Sequence, residues 1–180
     1  IRLADEIQGL ETQIFEAAGG EFNIASPKQL GEVLFDRLQV ELKPKKTKTG
    51  QYATHEEILT RLAYEHEIAA LVLEYRACQI LKSTYVDTLP LAVREDTGRI
   101  HTTYNQAVTA TGRMQSQNPN LQNIPIRTER GREIRRAFIA RDANHVLLSA
   151  DYSQIELRVM AEISGDVAMR QTFDEGVDVH

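Results

Sequence analysis

Apolar residues recur at helical spacing through the first half of this chain, and the pattern stops at Pro90. Leu3, Ile7, Leu10, Ile14 and Ala18 form one stripe, closed by Gly19-Gly20. Residues three and four apart share a face of an α-helix, so this spacing predicts a helix with one buried side. Ser26-Pro27-Lys28-Gln29 has the form of a capping box with proline at the first helical position, and Leu30, Val33, Leu34 and Leu38 follow it as an apolar face. Thr54-His55-Glu56-Glu57 has the form of a second capping box, without the proline, ahead of Ile58 and Leu62. Ile68, Leu71, Val72, Tyr75, Cys78 and Leu81 predict a long helix from about Ile68 to Asp87, which Pro90 keeps from continuing. At about 1.5 Å per residue it spans roughly 30 Å.

The character changes near the turn Asp96-Thr97-Gly98. Ile100, Thr102 and Tyr104 alternate with polar neighbours, the period of a strand. Thr109 to Arg127 is polar and rich in Asn and Gln, and Arg135 to Ile139 has the look of a second strand. His145-Val146-Leu147-Leu148-Ser149-Ala150 predicts a short buried strand that ends at Asp151. A helix follows, with Ile155, Val159 and Ile163 on one face and Gly165 near its stop. The expected class is α+β and mainly helical.

Composition narrows the function. With 180 residues, 42% of them apolar, the chain can bury the core of one domain or two small ones. It has no apolar run long enough to span a bilayer and no secretory leader, so a cytoplasmic location is expected. It begins with Ile, which suggests a piece of something larger. The single Cys78 cannot form an internal disulfide framework and lies on an apolar stripe as a core residue. The net charge of −5 argues globally against nucleic-acid binding. Locally the balance is different. Lys43, Lys45, Lys46 and Lys48 cluster in the aperiodic stretch 42–52, and Arg127, Arg130, Arg132, Arg135 and Arg136 fall within ten residues. The lysine loop, with Thr47, Thr49 and Tyr52, suits either solvent or a sugar-phosphate backbone.

Asp151-Tyr152-Ser153-Gln154-Ile155-Glu156-Leu157-Arg158 is the stretch that carries chemistry. A carboxylate where a buried strand gives way to a helix is rigid and partly dehydrated, which suits a hard cation held by oxygen. The plainer alternative is that Asp151 caps the helix and Glu156 favours its first turn.

Residues Asp151–Arg158 resemble, at every position, the first catalytic motif of family A DNA polymerases. Thr111-Gly112-Arg113 and Pro119-Asn120-Leu121-Gln122-Asn123-Ile124-Pro125 resemble the primer-template-contacting segment of that family. Gly98-Arg99-Ile100-His101-Thr102, Leu81-Lys82-Ser83-Thr84-Tyr85 and the basic loop fit at the expected spacings, so the resemblance covers essentially the whole chain. It implies that residues 1–95 are a helical thumb with its basic tip at 43–52. Residues 96–180 are then the first part of an antiparallel-sheet palm, leading toward the fingers. It implies a monomer that works on primer-template DNA and deoxynucleoside triphosphates, with two Mg²⁺ ions in the complete enzyme. Asp151 and the carbonyl of Tyr152 would be metal ligands. One ion lowers the pKa of the attacking primer 3′-hydroxyl, and the other steadies the departing pyrophosphate. Ser153, Gln154, Ile155, Glu156 and His180 would bind the nucleotide, with Glu156 filling the space of a ribose 2′-hydroxyl. Lys45, Lys46, Thr47, Lys48, Lys82, Ser83, Thr84, Arg113, Asn120, Gln122, Asn123 and Arg127 would touch DNA. Donors in the minor groove sense pair geometry while reading little sequence.

The sequence departs from the family pattern in places. Met114-Gln115-Ser116 stands where Leu-Ser-Ser or Leu-Ser-Thr is common, and His66-Glu67 replaces a common His-Pro. No second His-Asp-Glu motif occurs in these residues, so the chain alone is expected to be inactive. Two other readings compete: a helical nucleic-acid-binding module without catalysis, and a single-subunit RNA polymerase, against which Glu156 argues. Arg130, Arg132, Arg135 and Arg136 are expected to be surface or ion-pair residues.

Overall fold

The first apolar stripe folds as α1, Arg2–Ala18, with Ile7, Leu10, Ile14 and Ala18 buried. Gly19 takes a φ of 70° and Gly20 donates back to the Phe15 carbonyl at 2.9 Å, which satisfies carbonyls the helix end would leave open. The computed structural model describes residues 2–41, 44–126 and 128–177, arranged as two units, Ile1–Ala137 and Phe138–His180.

In the first unit, α2 (Pro27–Gly31) runs on into a wider π-helical turn, Glu32–Arg37. Ser26 caps α2 by accepting from the Gln29 N–H at 3.4 Å. The reciprocal half of the capping box does not form. The Ser26 N–H already bonds the Asn23 carbonyl, and the Gln29 side chain accepts from the Asn23 N–H instead. The second expected box is absent. Helix α3 (Glu56–Leu62) has His55 at its N-cap with no side-chain bond, because Thr54 is buried and occupied by Arg76, which donates to both its carbonyl and its hydroxyl. Burial pushes the Arg76 pKa down.

The long helix is α4, Glu67–Leu81, and it continues as a second π-helical turn, Lys82–Val86, closed by an Asp87 N–H to Lys82 carbonyl bond of 2.9 Å. Helix α4 packs on α1 and α3. Ile14, Leu30, Leu34, Leu59, Val72 and Cys78 are sealed from solvent in the shared core. A Leu34→Ala substitution is therefore expected to destabilise the fold by about 3 kcal/mol, the usual cost of a lost side chain plus a cavity. Urea unfolding followed by circular dichroism measures it, and a change below about 1 kcal/mol would mean the site collapses around the void.

The basic stretch closes as a hairpin in which Lys46 and Tyr52 pair. Tyr52 lies on α2, 5.0 Å from the Phe35 ring, and its hydroxyl donates to Asp36. Gly31 permits this approach, since a Cβ there would meet the Tyr52 Cβ at 2.7 Å. The bond to Asp36 is the main reason the Tyr52 pKa is raised.

Strand β1 (Val93–Arg94) pairs antiparallel with β2 (Arg99–Ile100), and β3 (Thr103–Asn105) pairs antiparallel with β4 (Gln115–Gln117). The single strand expected over 100–105 is thus two, with His101-Thr102 as the step between ladders. The expected strand at Arg135–Ile139 is a correction: Glu129–Arg136 is a helix, α5, and Thr128 caps it by accepting from the Gly131 N–H at 3.1 Å. A local cap and helix-favouring Glu and Arg carry the helix through Arg136, the start of the expected strand. Arg130 on α5 is an ion-pair residue, as expected, joined to Glu6 of α1 and Glu74 of α4.

The second unit contains α6 (Ile155–Ser164) and α7 (Val167–Asp174). Gly165 ends α6 at a φ of 68°, and Asp166 caps α7 by accepting from the Met169 N–H at 2.9 Å. The buried strand expected at His145–Ala150 is not formed, and Val146 and Leu148 are 87% and 89% exposed. A strand satisfies its backbone only against a neighbour, and among the described residues none pairs with this run. The apolar face of α6 exists, but Ile155, Val159 and Ile163 are exposed. Among the described residues, no helix is long and apolar enough to cross a membrane.

Candidate functional site

Four of the stretches singled out from the sequence meet in the first unit. Ser116, in β4, is 1% exposed, and its hydroxyl lies 2.7 Å from that of Thr102. The Ser116 hydroxyl also accepts from the Leu121 N–H at 3.1 Å, and Thr102 donates to the Pro119 carbonyl at 2.7 Å. Gln122 closes the other side. Its amide oxygen accepts from the Ser116 N–H at 2.9 Å and its nitrogen donates to the Met114 carbonyl at 3.0 Å. The Asn120 side chain accepts from the Gln122 N–H at 2.9 Å, an Asx turn. Two short hydroxyls and one amide thus fold the polar segment against the β3–β4 ladder. A primary amide has two N–H donors, so Gln122 retains one beyond its internal bond.

Tyr85 joins a further segment to this block. Its hydroxyl donates to the Asn123 carbonyl, and burial raises its pKa. That bond ties the wide turn after α4 to the Gln122-Asn123 loop. Lys82 in the turn pairs with Asp87 at 2.7 Å, Ser83 donates to the Gln79 carbonyl at 2.8 Å, and Thr84 is exposed. Arg113 is exposed, and its carbonyl accepts from the Thr109 hydroxyl at 2.6 Å. On the hairpin, Lys45, Lys46 and Lys48 are exposed, with the Lys46 ammonium 5.0 Å from the Tyr52 ring centre. The Thr47 hydroxyl is used inside the turn, against Thr49 at 2.9 Å. Lys43, Arg127 and His180 lie outside the described residues.

The carboxylate-bearing stretch lies in the second unit. Asp151, Tyr152 and Ser153 are exposed and precede α6. The N-cap of α6 is Gln154, which takes a left-handed conformation with φ 52° and ψ 34° and makes no side-chain cap bond. Two expectations are corrected here. Asp151 is not pinned in a buried strand, because the preceding run has no sheet partner among the described residues, and it does not cap the helix, because the helix begins four residues later. Glu156 occupies the first turn of α6, as its position suggested. Among the described residues no group of three or more Asp, Glu, His or Cys converges to hold a metal.

Residues 1–180 match the sequence pattern of DNA polymerase family A. The chain belongs to that family. It is 51% identical over 178 residues to DNA polymerase I of Geobacillus stearothermophilus, covering 99% of this chain and 20% of the relative. It is 53% identical over 180 residues to DNA polymerase I of Deinococcus radiodurans, covering 100% of this chain and 18% of the relative. In structure it resembles the POL domain of Pol1 from M. smegmatis in complex with DNA primer-template and dNTP, with a TM-score of 0.88 and 45% identity over 99% of this chain and 31% of that one. The chain therefore spans about a fifth of the length of the curated relatives it matches.

Within this family A chain, four of the stretches singled out from the sequence pack together, but the side chains that join them were not foreseen. Ser116 and Thr102 are the locks, and Tyr85 is the tie. Thr102 and Tyr85 lie inside matched segments and Ser116 in a stretch that departs from the family pattern, but a buried hydroxyl and an exposed one look alike in a string of letters.

Proposed function

We propose that this chain is the thumb and the first part of the palm of a template-directed DNA polymerase, which adds deoxynucleotides to a primer 3′ end by two-metal phosphoryl transfer. The observation that carries the reading is the likeness, at 45% identity and a TM-score of 0.88, to a polymerase domain solved with primer-template and dNTP. Residues 1–95 are the thumb with its tip at 43–52, and residues 96–180 begin the palm, with the first catalytic motif at 151–158.

Lys45, Lys46 and Lys48 form a basic tip that holds phosphates, with Thr47 shaping the turn. Lys82, Ser83 and Thr84 meet the backbone. Arg113, Asn120, Gln122 and Asn123 face the minor groove near the primer end, where Gln122, held by Ser116 of β4 and by the Met114 carbonyl just before it, presents a fixed donor. Arg127 meets phosphate. Ser153, Gln154, Ile155, Glu156 and His180 bind the incoming nucleotide, and Glu156 excludes a 2′-hydroxyl. Of the Mg²⁺ ligands, these residues offer the Asp151 carboxylate and the Tyr152 carbonyl. Two divalent ions need more carboxylates than that. The described residues therefore do not make the metal site by themselves, and residues 151–156 are assigned binding and positioning.

The DNA contact is tested at the hairpin. Replacing Lys45, Lys46 and Lys48 with Ala in the intact polymerase is expected to weaken duplex binding with little change in single-nucleotide chemistry. The slope of log affinity against log salt should flatten by up to roughly 3 units if all three touch phosphates. An unchanged slope would mean the tip is solvated in the complex.

A further inference from the structure

Gln154 holds a conformation that a residue with a Cβ rarely adopts, at φ 52° and ψ 34°. Such a residue persists where its surroundings over-determine it. Arg158 restrains it from both sides. The Arg158 main-chain N–H donates to the Gln154 carbonyl at 3.0 Å, and the Arg158 Nε donates to the Ser153 carbonyl at 3.0 Å. These carbonyls belong to the two peptide groups that flank the Gln154 Cα, so Arg158 pins both.

The guanidinium is held in turn. Its carbon lies 4.7 Å from the centre of the Phe173 ring on α7, a cation–π contact. Helix α7 is fixed to α6 independently: Arg170 donates to the Glu162 carbonyl at 2.9 Å and to the Ala161 carbonyl at 3.3 Å. A planar guanidinium can stack on a ring and donate in its own plane at once, which a lysine ammonium cannot do.

We propose that Arg158 is a positioning residue that, braced on Phe173, holds the left-handed turn from which Ser153, Gln154 and Glu156 are presented to the nucleotide. The proposal rests on the reading of residues 151–156 as a nucleotide site. It makes the shape of that site depend on α7 through one ring. Loss of the brace loosens the turn and should leave the basic hairpin's hold on DNA unchanged.

The test uses the intact polymerase with Arg158→Gln, Phe173→Leu and the double variant. Arg158→Gln is expected to raise KM for a matched deoxynucleotide about tenfold and to blunt the preference for deoxy- over ribonucleotides, as misplacement of a bound reactant does. Duplex Kd should stay within about twofold of wild type, because the phosphate contacts are elsewhere. Phe173→Leu should shift both quantities in the same direction by less, and the double variant should be no worse than Arg158→Gln alone. Unchanged KM and sugar preference in Arg158→Gln, or effects that multiply in the double variant, overturn the inference. So does an equal loss of duplex affinity, the sign of general unfolding. Asp151→Asn is run beside them. If it extends primers normally, the reading of the site itself fails. If it is dead while Arg158→Gln is normal, only the brace falls.

Discussion

Glu156→Ala in the intact polymerase is expected to raise ribonucleotide incorporation relative to deoxynucleotide incorporation by roughly two to three orders of magnitude. Glu156 stands in the first turn of α6, two residues after the left-handed Gln154, and its side chain is exposed. On the proposed reading, a carboxylate placed there by a braced turn would occupy space against which a 2′-hydroxyl collides. Relief of such a clash is worth a few kcal/mol, and each 1.4 kcal/mol or so is tenfold in rate. Deoxynucleotide addition should fall somewhat, since the same side chain packs on the sugar. A glutamate that only favours the helix N-terminus gives another pattern, a small loss of stability with sugar preference intact. The quantity to measure is the ratio of kcat/KM for matched deoxy- and ribonucleotides. An equal ratio in wild type and variant would remove the gate, and with it the best single-residue argument for a DNA rather than an RNA polymerase.

How much of this was legible in the sequence depended on where each element finds its partners. Helices satisfy their backbone internally, so the stripes were enough to place α1 and the start of α4 within a residue or two, while the end expected at Asp87 is reached only through the π-helical turn Lys82–Val86 that follows α4. The capping expectations fared less well because caps compete. Ser26 has its expected bond, but Thr54 was claimed by Arg76, a residue 22 positions away that local pattern cannot foresee. Strands depend on neighbours, and the strand expectations were the ones corrected. Val146, Leu147 and Leu148 have the composition of a buried strand, yet among the described residues no ladder receives them. Arg135 and Arg136, at the start of the expected strand Arg135–Ile139, instead form the last turn of a helix capped by Thr128. The site divides in the same way. The Asp151–Arg158 motif was legible as a string, and so was Glu156 in a first turn. The left-handed Gln154, the brace from Arg158 to Phe173, and the Thr102–Ser116 lock are tertiary facts, visible only once the chain is folded.

Asp151→Asn should abolish primer extension, lowering kcat by about a thousandfold or more, while duplex affinity stays near wild type. The exchange keeps the size and most of the hydrogen-bonding capacity of the side chain and removes its charge, so it asks only whether the charge is needed. The fold makes the question clean. Asp151 is exposed and lies outside α6, whose N-cap is Gln154, so the variant breaks no cap and opens no cavity. A nucleic-acid-binding module without catalysis would tolerate the exchange in every assay, and that outcome would favour the competing reading outright. The same logic sets an expectation for residues 1–180 by themselves. Of the proposed metal ligands they provide a single carboxylate, Asp151, and no cluster of three metal-binding side chains occurs among the described residues. Charge neutralisation of a transferring phosphoryl group needs several oxygen ligands around its cations. The isolated chain should therefore bind duplex DNA weakly through its hairpin and incorporate no nucleotide above a no-protein control. Template-dependent incorporation by residues 1–180 would show that the chemistry needs less than the family resemblance implies, and the role given to Asp151 as one member of a pair would have to be abandoned.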